Sequence, residues 1–165
     1  MAAKSENLLA ALAERVVVAD GAMGTMLQAA DPSLDDFEGH EGCNEILNVT
    51  RPDVVRGVHD AYFAVGCDAV ETNTFGANLA NLGEYGITDR IEELSEAGAR
   101  IAAEVAAELS TDERPRWVLG SMPVIRTMSR SDGPDWQCQT LVVRHDSSRS
   151  PSAPKPTCGR LTWKS

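Results

Sequence analysis

Two short segments concentrate side chains suited to holding a small polar molecule. Asp20-Gly21-Ala22-Met23-Gly24-Thr25 follows a run of valines, and Glu71-Thr72-Asn73-Thr74 closes a second apolar run. Glycines at 21 and 24 let the main chain come close to a ligand, and unpaired N–H groups in such a turn can receive a carboxylate. Asp20 can accept from an ammonium group, so together these features suit a zwitterionic amino acid. Each also has a plainer reading. A two-glycine turn after a strand is often only a turn, Asn73 can bond a substrate or tie neighbouring loops together, and Glu71 is open in the same way. The polar loop Gly42-Cys43-Asn44-Glu45-Ile46-Leu47-Asn48 can fold over the same mouth.

Other reactive side chains form no pattern. Cys43, Cys67, Cys138 and Cys158 include no C-x-x-C pair, which supports neither a disulfide scaffold nor a zinc ribbon. Cys67 reads as a small core residue and His59 as a surface or packing residue. His40 and His145 have no convincing partner, and no nucleophile–base pair is visible. A nucleotide site at Asp20 to Thr25 is a poor alternative, because neither G-x-G-x-x-G nor a Walker pattern is present.

The elements that must position these groups alternate. Ser5 to Arg15 reads as a short capped helix, and Val16-Val17-Val18-Ala19 as a strand covered on both faces, since it has no polar alternation. Thr50-Arg51-Pro52-Asp53 predicts a helix start with Thr as cap, running to about Gly66 with Val54, Val55, Val58, Tyr62 and Val65 on one stripe. Ala69 to Asn73 is a second strand. A helical patch near Asn78 to Glu84, a turn at Gly86 and a long helix capped by Thr88 follow, the last with Ile91, Leu94, Gly98, Ile101, Val105 and Leu109 on one side. Trp117 to Ser121 is a third strand. Strands alternating with helices in this way indicate a parallel α/β sheet, whose ligands gather at the carboxyl ends of the strands.

Composition divides the chain of 165 residues near Met122. Up to that point 8 Lys and Arg face 22 Asp and Glu, with 20 Ala; the last 43 residues hold 7 basic and 3 acidic side chains, 1 Ala, 5 Pro and 7 Ser. The stretch Ser147 to Pro156 is low in complexity and is expected to be disordered, because it offers little apolar surface against the entropy of ordering. Leu141-Val142-Val143 is long enough only for a short strand. A net charge of −10 argues against a nucleic-acid partner. No run approaches the roughly 20 apolar residues that span a bilayer, and the start is polar, so the expected location is cytoplasmic with no membrane partner.

Taken together, Asp20 to Leu27, Asn44-Glu45-Ile46-Leu47-Asn48, Arg51-Pro52-Asp53-Val54-Val55 and Glu71 to Asn78 closely resemble the homocysteine-binding (homocysteine S-methyltransferase) domain at the N-terminus of cobalamin-dependent methionine synthases. The resemblance covers about residues 10 to 122. It implies a (β/α)8 TIM barrel that binds homocysteine at its carboxyl-end mouth, with zinc held by three cysteine thiolates. Zinc would favour the homocysteine thiolate, which takes a methyl group from methylcobalamin to give methionine. By motif match Asp20 and Gly21 hold the amino-acid end of homocysteine and Asn73 lines the pocket.

The departures are equally specific. The family's zinc cysteines lie on late strands, one alone and two adjacent, and Cys138 and Cys158 do not match them. Three strands take about 105 residues, so the expected fold is the first three β/α units of an incomplete barrel, residues 1–122, followed by a disordered tail, residues 123–165. The third strand then exposes an unpaired edge. A reading-frame shift near Met122 accounts for the change in composition. Such a fragment is expected to be inactive alone, binding neither the zinc nor the cobalamin of the intact family. The alternative is an interaction module that completes a barrel with a separately encoded remainder.

Overall fold

The structure is a computed structural model that describes residues 8–123 and 139–143. Helix α1 (Leu8–Glu14) buries Leu8 and Ala11 and leads into an extended segment over 16–19. Ala22, in the left-handed region at φ 49°, then turns the chain into α2 (Met23–Ala29). A loop and a 3-10 turn (Asn44–Ile46) precede the one-turn α3 (Leu47–Thr50). Helix α4 (Pro52–Val65) starts on proline, whose fixed φ suits a first turn, and ends on Gly66 at φ 110°, which favours glycine.

Strand β1 (Ala69–Glu71) follows, then α5 (Leu79–Glu84), capped by Asn78, whose side-chain oxygen accepts from the N–H groups of Ala80 and Asn81. A 3-10 turn (Thr88–Arg90) opens the long α6 (Ile91–Leu109), and β2 (Trp117–Met122) and β3 (Gln139–Val143) complete the described chain. Strands β1 and β2 pair in parallel, Val70 opposite Val118, and the 16–19 segment joins β1 through a parallel bridge from Ala19 to Ala69. Helices α4 and α6 lie together against this sheet. Phe63, Val70, Ala102, Val105, Ala106 and Val118 form the core between them, and a second cluster of Leu27, Phe37, Leu47, Val55, Val58 and Ile101 joins α2 and α3 to the same helices. Among the described residues no helix is long and apolar enough to cross a membrane.

Several expectations need correction. The segment over 16–19 is neither a full strand nor covered on both faces: it makes one β-bridge, Ala19 to Ala69, among the described residues, and Val16 is 82% and Val18 50% exposed. The far edge of β2 is not unpaired, since β3 runs antiparallel along it. Part of the expected disordered tail is therefore a strand, while Ser147 to Pro156 lies outside the described residues. Thr50 does not cap α4. Its hydroxyl turns back to the carbonyls of Asp36 and Ile46, at 2.6 and 3.2 Å, and Arg51 takes the cap position. Arg90, not Thr88, stands at the head of α6. Val65 falls off the buried stripe of α4, where His59 and Phe63 are buried instead.

His59 packs inside the protein with no exposed surface and no hydrogen-bond partner for either ring nitrogen among the described residues. Burial alone pushes its pKa from 6.5 to about 4. The unfolded chain accepts a proton there that the fold refuses, so this stability is complete above pH 6.5 and is lost as the pH falls through 4. The loss is about 3 kcal/mol for a shift of this size. Replacing His59→Leu is expected to flatten the acid limb of a stability profile taken by urea unfolding between pH 7 and 4; an unchanged acid limb would contradict the assignment.

Candidate functional site

The carboxyl ends of the parallel strands bring Asp20, Glu71 and Ser121 to one rim. Asp20 is fixed by its own backbone, whose N–H donates to the Ala69 carbonyl at 3.0 Å. Its Oδ1 accepts from the Glu71 N–H at 2.8 Å, while Glu71 Oε2 accepts from the Ser121 hydroxyl at 3.2 Å. Burial raises the Asp20 pKa to about 6; the hydrogen bond from the Glu71 N–H opposes that rise and the Glu71 charge adds to it. No described residue bonds to Oδ2. Beside it, a Cβ on Gly21 would meet nothing within 4 Å, so the backbone there faces open space.

Behind this rim lies a ring of hydrogen bonds that the sequence alone did not suggest. The Ser121 N–H donates to Thr72 Oγ1 at 3.0 Å, and Thr74 Oγ1 donates to the Ser121 carbonyl at 2.8 Å. The two threonine hydroxyls are 2.6 Å apart. Since the Thr74 proton is already committed to Ser121, Thr72 must be the donor between them. The ring locks the end of β2 to the turn after β1.

Asn73 sits deeper and is buried. Its Nδ2 donates to the Asn44 carbonyl and to Asn48 Oδ1, both at 2.9 Å. Asn48 Nδ2 answers with bonds to the Asn73 carbonyl at 2.8 Å and the Leu94 carbonyl at 3.0 Å. Both protons of the Asn73 amide are thus used in tying the Asn44 to Asn48 segment to β1, leaving Oδ1 as the atom of that amide with capacity for a ligand. The polar loop does fold toward the strand ends, as its composition suggests, and Asn48 is the residue that sequence reasoning passed over.

A separate cleft of about 310 Å3 opens between this loop, the Phe75-Gly76 turn and α5. Neither Asp20 nor Asn73 lines it. Glu45 is part of its lining, with Oε1 accepting from the Gly76 N–H at 2.7 Å and Oε2 facing the Cys43 thiol at 3.9 Å. A Cβ at Gly76 would fall 2.6 Å from Glu45 Oε1, so only glycine admits this carboxylate.

The thiols stay apart. Cys43 packs with Ile46, Leu82 and Leu94, and burial followed by the Glu45 charge pushes its pKa up. Cys67 points to the Ala19 carbonyl at 3.7 Å, and burial followed by the Asp20 and Asp68 charges raises it too. Among the described residues no three His, Cys, Asp or Glu side chains converge as a metal site, so they do not fit a thiolate-bound zinc. Cys138 and Cys158 lie outside the described residues.

Parallel strands flanked by helices, with polar groups gathered at the carboxyl rim, define an α/β fold that resembles the TIM barrel of homocysteine methyltransferases. A family profile described as homocysteine S-methyltransferase matches residues 17–148, and the chain belongs to this methyltransferase family. It is 64% identical over 116 residues to methionine synthase of Mycobacterium tuberculosis (strain ATCC 25618 / H37Rv) and 61% identical over 116 residues to that of Mycobacterium leprae (strain TN). These alignments cover 70% of the chain, which spans about a tenth of the length of either relative. The crystal structure of the homocysteine methyltransferase MmuM from Escherichia coli in its metallated form superposes with a TM-score of 0.55 at 25% identity, over 72% of this chain and 42% of that one. Its oxidized form gives 0.56, over 71% and 41%.

Gly98 supplies the tightest check on the asparagine network. A Cβ there would lie 2.6 Å from Asn48 Nδ2 and 2.9 Å from Thr74 Cγ2. Gly98→Ala must push both aside and is expected to destabilise the protein by about 2 kcal/mol, within the range for overpacked cores. Urea unfolding reads this directly, and an unshifted midpoint would show that the two side chains yield without cost.

Proposed function

We propose that this chain supplies the amino-acid-recognising part of a homocysteine-binding barrel, with residues 1–122 forming its opening three β/α units and 123–165 a distinct tail. Asp20 receives the homocysteine ammonium through Oδ2, Gly21 gives the ligand room against the backbone, and Asn73 Oδ1 adds an acceptor from the second strand end. The observation that carries this reading is the Asp20 carboxylate, held through one oxygen by the Glu71 N–H and uncommitted at the other. In the intact family the acceptor is the homocysteine thiolate and the donor methylcobalamin. The described residues lack a zinc-binding set, and an ordinary thiol with a pKa near 8.5 is mostly protonated at pH 7. This chain alone is accordingly a binding part and not a working methyltransferase. Its proposed setting is the cytoplasm.

A second reading, docking onto a separately encoded barrel remainder, is favoured by one observation. The segment over 16–19 leaves the Val16 and Val18 side chains open, where the packed interior or the outer helices of a closed barrel would cover them. The two readings are compatible, since a completed mouth would still use Asp20.

Binding of homocysteine tests the first. Only the ionised Asp20 attracts an ammonium, and with a pKa of about 6 its charged fraction grows about tenfold between pH 5 and pH 7. Calorimetric titration is expected to show affinity rising by about that factor, with Asp20→Asn weaker and flat across the same range. Equal affinity at both pH values, or an unaffected Asp20→Asn variant, would remove Asp20 from the role.

A further inference from the structure

The backbone pairing at the far edge of the sheet runs against what barrel closure requires. In a (β/α)8 barrel every strand lies parallel to the next. Here β1 and β2 are parallel, but β3 lies antiparallel on β2, with Val118 opposite Val143, Gly120 opposite Leu141 and Met122 opposite Gln139.

The direction of each amide follows from strand alternation. The Trp117 N–H donates to the Asp68 carbonyl, the Leu119 carbonyl accepts from the Thr72 N–H, and the Ser121 N–H donates to Thr72 Oγ1. The odd-numbered residues of β2 therefore turn their main-chain groups toward β1. Val118, Gly120 and Met122 turn theirs the other way, toward β3. In an antiparallel ladder the residues opposite these three, Val143, Leu141 and Gln139, exchange both hydrogen bonds with them, while Thr140 and Val142 present their N–H groups to the outside.

We propose that Gln139–Val143 is a built-in edge block: it occupies the main-chain groups of Val118, Gly120 and Met122 that a next parallel strand would need, and so ends the parallel pairing at β2. An open β2 edge would be a template for pairing with another copy of the chain. With the block in place, a further strand can reach the β2 edge only after β3 leaves. This holds whether or not Asp20 binds homocysteine. It also qualifies docking onto a barrel remainder, which has to displace β3 before β2 can accept a parallel neighbour.

Proline scanning of β3 in the full 165-residue chain separates the block from a general loss of structure. Leu141→Pro removes an N–H aimed at β2, whereas Val142→Pro removes one aimed outward, a position proline tolerates on an edge strand. Hydrogen exchange at Gly120, together with light scattering for mass, reads the result. The parent and Val142→Pro are expected to be monomeric with slow exchange at Gly120, their rates within about threefold of each other. Leu141→Pro is expected to exchange at least tenfold faster at Gly120 while Val70 stays protected, and to form larger species. Fast exchange at Gly120 in the parent, equal behaviour of the two proline variants, or a monomeric Leu141→Pro with fast Gly120 exchange would overturn the proposal. Should Leu141→Pro unfold altogether, the comparison of the parent with Val142→Pro still decides, because loss of Gly120 protection in Val142→Pro also overturns it.

Discussion

The exchange of hydrogen bonds between Asn48 and Asn73 is the constraint on which the arrangement depends. Both amides are buried, and a buried amide group without a partner costs about 1–3 kcal/mol. Four bonds satisfy them: two from Asn73 to the Asn44 carbonyl and Asn48, and two from Asn48 to the carbonyls of Asn73 and Leu94. They fasten the loop before α4 to the end of β1 and to the first half of α6. Gly98 exists in α6 as clearance for this junction, which is why a position on the helix's buried stripe carries no side chain. Loop, strand end and helix then have one relative position, and the rim of Asp20, Glu71 and Ser121 inherits it.

Rigidity at the rim has a chemical effect. Asp20 is held by the Glu71 N–H while half-buried beside the Glu71 carboxylate, so its charge is costly without a cation nearby. An arriving ammonium would relieve that cost. The Thr72–Thr74–Ser121 ring contributes no charge. It sets the spacing between the rim ends of β1 and β2, using hydroxyl groups whose protons run in one direction.

Much of this was legible in the order of residues. The 3.6-residue stripe of α6 and the proline-to-glycine span of α4 announced both helices, and the motifs from Asp20 to Asn78 announced the family. The errors share a cause. The run Val16 to Ala19 has the composition of a strand covered on both faces, but burial depends on neighbours that a local pattern does not name, and Val16 and Val18 are exposed. Thr50 has the residue type of a cap, yet the Asp36 carbonyl, fourteen positions away, takes its hydroxyl. The pairing of β3 with β2 is likewise non-local, and three apolar residues carry no information about which edge they will meet. Asn48 escaped notice because one asparagine in a polar loop looks like any other until its partners from β1 and α6 are in place.

Asp68 does at the opposite rim what Asp20 does not. Its carboxylate receives Arg15 at 2.9 and 3.2 Å and the Val18 N–H at 2.9 Å, and its own main chain bonds to Val18 and to Trp117. The Arg15 guanidinium beside it, more than any other neighbour, holds its carboxyl below the usual range, whereas Asp20 titrates above it. Asp68 is a clasp that joins the 16–19 segment to the starts of β1 and β2, whereas Asp20 stands at the rim with one oxygen uncommitted, and acid reaches Asp20 first. Mild acidification would neutralise Asp20 while the Asp68 clasp keeps its charge, so the rim would lose its negative charge while the opposite ends of the strands stay pinned.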